Sequence, residues 1–265
     1  MNKATIRFRR RKYAIELIRK ICEQKTNFLI IHYSCESFYD TEGRTPRITS
    51  IAVRYFDTAQ TKSFSIHKVA EVENVPFELI EERYNDLEKI MLDEFFNFIE
   101  DHKRYSWIHL NMRDINYGFE AINHRYLVLG GSPIEIADNA KIDLGRLLID
   151  IYGTQYIEHP RFEILCKKNH VTMINFLTGK EEAFAFRDHE YVKLHQSTLR
   201  KVDNMQSIIM LANEQELNTN SNLFKQYGVS PQSIFYLIQE NWILALITFL
   251  LGIIISAFAS HLVSG

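Results

Sequence analysis

The sequence predicts an α/β domain built on a mixed sheet with flanking helices, followed by one C-terminal membrane-spanning helix. Three observations carry this expectation. Residues 241–265 contain no Asp, Glu, Lys or Arg. Short runs rich in β-branched and aromatic residues gather early, at 27–33, 47–57 and 61–69. Stretches with helical spacing of apolar residues follow, interrupted by another short strand, and that order is typical of a mixed-sheet α/β domain.

In chain order, 13–25 carries Ile15, Ile18 and Ile21 at helical spacing. NFLIIHY (27–33) is an apolar run suited to a buried strand. RITSIAVRYFD (47–57) and TKSFSIHKV (61–69) predict a hairpin turning at TAQT. Residues 77–102 present one apolar helical face through Leu79, Ile80, Leu87, Ile90, Met91, Phe95, Phe98 and Ile99. SWIHLNM (106–112) predicts a fourth strand, and 118–131 a helix stopped by Gly130 and Gly131. A strand end feeding a helix fits 141–153, and Pro160 opens another helix. Residues 172–190 look loop-like and charged, and 192–215 predict a long helix. The polar stretch LNTNSNLFKQYGVSPQ predicts a linker, and SIFYLIQE a helical lead-in. The expected organisation is a basic N-terminal helix (1–26), an α/β domain (27–212), a linker (213–240) and an anchor (241–265).

Trp242–Val263 as a helix rises about 33 Å, enough for a hydrocarbon core of roughly 30 Å. Thr248, Ser256 and Ser260 can bond their own backbone carbonyls, and Trp242 fits an interfacial aromatic. The N-terminus has charge but no apolar signal region. The expected location is therefore a single-pass membrane protein, such as one of the bacterial inner membrane, with its domain in the cytoplasm. Lys225 is the nearest basic residue before the span, so sequence proximity says little about orientation.

Formal charge is −2, which does not announce a nucleic-acid binder. The one dense basic cluster is Arg7, Arg9, Arg10, Arg11 and Lys12. Three readings stay open: a solvated helix start, nucleic-acid phosphate contacts through Arg9, Arg10 and Arg11, and anionic-lipid contacts. Cys22, Cys35 and Cys166 include no CxxC and are expected as reduced thiols. His109 fits a packed strand histidine, Asp143 an N-cap, and Glu181 with Glu182 a solvated face. The FLTGKEEAF stretch lacks phosphate-loop spacing, and no GxSxG element occurs.

The order of pieces FLIIHYSCESFYD (28–40), RITSIAVRYFD (47–57), WIHLNMRDINYGFEAI (107–122), KIDLGRLL (141–148) and KLHQSTLRKVD (193–203) resembles the DEDD 3′–5′ exonucleases, which have the ribonuclease-H-like fold. The resemblance implies a two-metal site for Mg or Mn, whose carboxylates hold ions roughly 3.5–4 Å apart. Carried over by position, it implies Glu36, Asp114 and Asp203 as metal ligands, with Asn111 beside Asp114, and His195 as general base. The departures are specific. Ser34 stands where the first Asp of D-x-E belongs. The middle motif is one residue short, with Arg113 beside Asp114. His195 and Asp203 stand eight positions apart, about 80° around one helix. The implied site is therefore weakened or inactive.

Gly252, Ser256 and Ser260 recur every fourth residue, and Ala245, Gly252 and Ala259 every seventh. This small-residue stripe predicts homo-oligomers through the membrane helix. Together these features predict a weak or inactive exonuclease-like domain that senses nucleic acid or a partner and controls a membrane helix, as in a bacterial antiviral effector. An active, tethered metal-dependent exonuclease is the alternative.

Overall fold

A computed structural model describes residues 3–37, 45–113, 116–228 and 230–264. Two compact units form. One comprises 17–147 and 158–218, the other 1–16, 148–157 and 219–265.

The first unit is organised by β1 (Phe28–Cys35), whose apolar run is buried on both faces, as a central strand requires. β2 (Ile48–Tyr55) pairs antiparallel with it, Leu29 opposite Tyr55 and Ser34 opposite Ser50. β3 (Thr61–Ser65) completes the expected hairpin. β4 (Ser106–His109) and β5 (Lys141–Asp143) add in parallel on the other side. The strand order is β3-β2-β1-β4-β5, and β2 alone runs against the other four.

The helices in chain order are α1 (Lys3–Glu23), α2 (Ile66–Val72), α3 (Tyr84–Asp101), α4 (Phe119–Val128), α5 (Leu144–Tyr152), α6 (Arg161–Lys168), α7 (Gly179–Arg187), α8 (Tyr191–Asn213), α9 (Leu223–Tyr227), α10 (Pro231–Glu240) and α11 (Trp242–Ser264). Alternation along the strands gives the sheet two different faces. Leu29, Ile31, Tyr33, Ile51, Val53 and Phe64 join Leu87, Met91, Phe95 and Ile99 of α3 in the apolar core. The opposite face mixes apolar Phe28, Ile30 and Ala52 with His32, Ser34, Ser50 and Arg54, and packs against α8. There Ser50 shares a hydrogen bond with Thr198 (2.8 Å), and Arg54 pairs with Asp203 (3.2 Å). Ser34, Ser50 and Ser65 stand in register across the three strands.

Several local expectations shift. The third strand ends at Ser65, because Ile66, Val69 and Ala70 are buried at helical spacing in α2. Residues 172–190 are not all loop: Thr178 and Glu181 form a reciprocal capping box that starts α7, and its T-x-x-E signature stands in the sequence. The first helix begins ten residues before position 13, at Lys3. α9 lies inside the expected linker.

In the second unit, α10 packs against the first turns of α1. Phe8 stacks on Tyr236 at 4.2 Å, and the Thr5 and Tyr236 hydroxyls lie 3.1 Å apart. Gly153 has φ +88°, and a Cβ there would stand 2.7 Å from the Lys225 carbonyl oxygen, so both conformation and space call for glycine. Asn241 separates α10 from α11, and its side chain accepts from the Leu244 N–H at 3.3 Å. α11 is the one helix among the described residues long and apolar enough to cross a membrane. Its Trp242–Ser260 stretch reaches mean hydropathy 2.6, and none of it is buried. Thr248 and Ser260 donate to carbonyls of their own helix, as expected.

Candidate functional site

The C-terminal end of β1 concentrates the unusual chemistry of the sheet unit. A bulge between Ser34 and Cys35 shifts the register, so that Cys35 pairs with Ile48. The next residue, Glu36, then faces Arg47. The Arg47 guanidinium donates to Glu36 (3.1 Å) and to Glu81 (2.7 Å). It also lies over the rings of Tyr84 and Phe186, at 4.7 and 4.9 Å. Burial works against the Arg47 charge, but hydrogen bonds to Glu81 and Glu36 outweigh it and raise its pKa. Glu88 anchors this corner from beneath. Its carboxylate accepts from the Ile48 N–H (2.6 Å) and from Arg125 Nε (3.0 Å) in full burial.

Beside Glu36 opens a cleft of about 480 Å³, lined by Tyr33, Cys35, Tyr117 and, from α7, Lys180, Glu182 and Ala183. Tyr33 and Tyr117 stack at 4.6 Å. Tyr117 donates to the Tyr33 carbonyl (3.2 Å), and the Tyr33 hydroxyl accepts from the Gly118 N–H (2.9 Å). Glu182 is not part of a solvated face. It pairs with Lys201 of α8 at 2.6 Å and accepts from Ser197 at 3.0 Å. Burial, then the Lys201 charge, holds His32 well below the usual imidazole range. Burial, then the charges of Glu182 and Glu36, pushes the Cys35 thiol up, so it is not poised as a thiolate nucleophile.

Among the described residues, the two carboxylates expected from the family resemblance, Glu36 and Asp203, are each held by arginine. Ser34 is 1% exposed, and its hydroxyl lacks a hydrogen-bond partner among the described residues. Glu36 is held by Arg47. Asp203 pairs with Arg54 and, at 2.5 Å, with Arg200. His195 is buried beside His67, ring centroids 5.1 Å apart. Burial, then the charges of Lys68 and His67, lowers its pKa to about 4. It is therefore neutral near pH 7, and among the described residues no hydrogen bond or ion pair joins it to Glu36 or Asp203. Asp114 lies outside the described residues. Asn111 has φ +56° and accepts from Arg113 at 2.9 Å. Among the described residues no group of three His, Cys, Asp or Glu could hold a metal ion. Ser34 supplies no charge, and Glu36 and Asp203 are each neutralised by arginine, so the described residues do not fit a Mg or Mn pair.

A second cavity of about 320 Å³ lies at the ends of β4 and β5, among His109, Arg113, Lys141 and Asp143. His109 is a packed strand histidine, and Asp143 accepts from the Arg146 N–H at 3.2 Å as an N-cap of α5. Arg113 pairs with Asp143 at 2.5 Å. In the other unit, Arg11 does not face solvent with Arg9 and Arg10. It donates to Glu240 at 2.7 Å and lies 4.6 Å over the Tyr227 ring. Gly252, Ser256 and Ser260 line one exposed face of α11 with Thr248 and Phe249. Arg47, Lys201 and Tyr117 were not singled out by the sequence, because their partners lie on other elements.

Comparison of the chain with protein-family models, with curated proteins and with solved structures finds no match.

Proposed function

We propose that this chain is a membrane-anchored binding module of ribonuclease-H-like architecture, without nuclease activity, whose cleft at the end of β1 recognises a partner and whose anchor self-associates. The architecture is supported by the strand order with β2 alone reversed. The observation that carries the function is the replacement of a metal-binding surface by internal ion pairs. Ser34 is neutral, and Arg47 neutralises Glu36 at the cleft wall. Lys201 neutralises Glu182 on the other wall. The cleft is partly open, carries the stacked Tyr33 and Tyr117 rings, and among the described residues that line it Lys180 is the one cation. Such a lining suits a small ligand or an extended partner segment better than a phosphate backbone. α11 supplies the anchor, and its small-residue face the self-association.

The test uses the full chain in nanodiscs with Mg²⁺ or Mn²⁺ and end-labelled single strands. Cleavage no faster than in chelator is expected. Metal-dependent cleavage abolished by Glu36→Gln would overturn the reading in favour of a tethered exonuclease. In parallel, Ala183→Trp fills the cleft and is expected to abolish partner capture by the folded chain.

A further inference from the structure

The basic cluster of α1 is remote in sequence from the span, but the fold carries it to the base of the membrane helix. Arg11 donates to Glu240 at 2.7 Å, and Glu240 stands two residues before Trp242. Tyr227 donates to the same carboxylate. Phe8 stacks on Tyr236, one turn earlier in α10. Arg9, Arg10 and Lys12 lie within two positions of Arg11, about 3 Å along the helix axis. These three side chains are exposed, because the packed stripe of α1 is formed by Thr5, Phe8 and Arg11.

A second observation points to the same partner. α10 leads into the span and exposes Ile234 and Phe235, while Trp242 is 74% exposed at the start of α11. Exposed apolar side chains on the helix that leads into the span, together with exposed arginines on the helix packed against it, are the composition of an interfacial region. Polar headgroups extend several Å beyond the hydrocarbon core, and the Debye length is about 8–10 Å. Cations within one helical turn of Arg11, whose guanidinium reaches Glu240, therefore stand near the start of the span, on the scale of lipid phosphates.

We propose that Arg9, Arg10 and Lys12 form a binding surface for anionic phospholipid headgroups, with Ile234, Phe235 and Trp242 seated in the interface beside them. The inference rests on the reading of α11 as a membrane anchor. Arg11 acts differently from its neighbours. Its ion pair with Glu240 fixes α1 to the base of the span, so that Arg9, Arg10 and Lys12 face the headgroups. The same charges hold this end of the span on the cytoplasmic side.

Trp242 supplies the readout, since the other tryptophan, Trp107, is buried in the sheet unit. The full chain is reconstituted in nanodiscs containing equal fractions of brominated phosphatidylcholine or brominated phosphatidylglycerol, with bromine near the headgroup. Each basic side chain near an anionic surface favours it by about fivefold. Trp242 quenching should therefore show a phosphatidylglycerol preference of at least about threefold, which falls at high salt. The preference should vanish in Arg9→Gln/Arg10→Gln/Lys12→Gln and persist in Arg9→Lys/Arg10→Lys. Equal quenching by both lipids overturns the inference while leaving the anchor intact. A preference that survives the triple substitution also overturns it. A labelled oligonucleotide bound by the wild type and released by the triple variant reassigns the cluster to nucleic acid. Absence of quenching by either lipid overturns the anchor itself.

Discussion

Arg125→Met tests whether the corner beneath the candidate site is held as described. Glu88 is fully buried, and its carboxylate receives the Arg125 guanidinium and the Ile48 N–H. Removing Arg125 leaves a buried carboxylate facing only Ile48 and the more distant Arg47. Breaking such a pair costs about 3–5 kcal/mol. For a unit of this size that lowers Tm by roughly 6–20 °C. The pH dependence is more discriminating. Burial raises the Glu88 pKa above its ordinary 4.5, against the pull of Arg125. A raised folded value means that stability is fully present below pH 4.5 and falls as pH rises through the folded pKa. Without Arg125 the folded value climbs further. The penalty of Arg125→Met should therefore be small near pH 4 and grow toward pH 8. Glu88→Gln/Arg125→Met keeps an acceptor for Ile48 without the charge, and should recover to within about 1.5 kcal/mol of wild type. The assay is urea pulse proteolysis of the full chain in mild detergent at pH 4, 6 and 8. A single-variant penalty below about 1 kcal/mol at pH 8, a penalty flat with pH, or a double variant no better than the single would refute the reasoning.

Other perturbations follow from the same structure. His195, with its pKa lowered to about 4, favours the fold above its ordinary 6.5, and that contribution is lost as pH falls from 6.5 toward 4. It reaches about 3 kcal/mol, so His195→Gln should flatten the acid limb of a stability–pH curve measured by urea unfolding. Gly153→Ala forces a Cβ into the left-handed region against the Lys225 carbonyl, and should cost about 2 kcal/mol or more in thermal melts of the full chain. Gly252→Leu places a large side chain on the small-residue face of α11. Cross-linked oligomers in nanodiscs should drop several-fold without loss of membrane insertion, and unchanged cross-linking would remove that face from the association.

The strands were legible because their signals are local. FLIIHY is uninterrupted and became the central strand, and RITSIAV is rich in β-branched residues and became its antiparallel neighbour. The end of β3 was less legible, since Ile66 continues a strand-like composition and only three-dimensional burial of Val69 and Ala70 selects a helix. Fates of charged residues were harder still. Glu182 next to Glu181 looks like a solvated pair, yet its partner Lys201 comes from the next helix, nineteen residues on. Arg11 reads as one of several surface arginines, and Glu240, 229 positions away, decides otherwise. Composition records that these charges exist, while the pairing of distant elements determines which of them meet.

That pairing also explains why metal chemistry is not one substitution away from this site. Arg47 binds Glu36 and Glu81 together, covers Tyr84 and Phe186, and precedes the first residue of β2. Replacing it would leave two carboxylates close together without their cation and uncover two aromatic rings. Placing a carboxylate at Ser34 would put a charge at a position 1% exposed, at a cost of several kcal/mol unless a cation arrives with it. Each step toward a metal site is destabilising until the others are in place. Each present ion pair, by contrast, closes a wall of the cleft. Arg47 and Lys201, which pair with Glu36, Glu81 and Glu182, therefore leave this acidic end of the central strand without the unpaired negative charge that a metal pair needs.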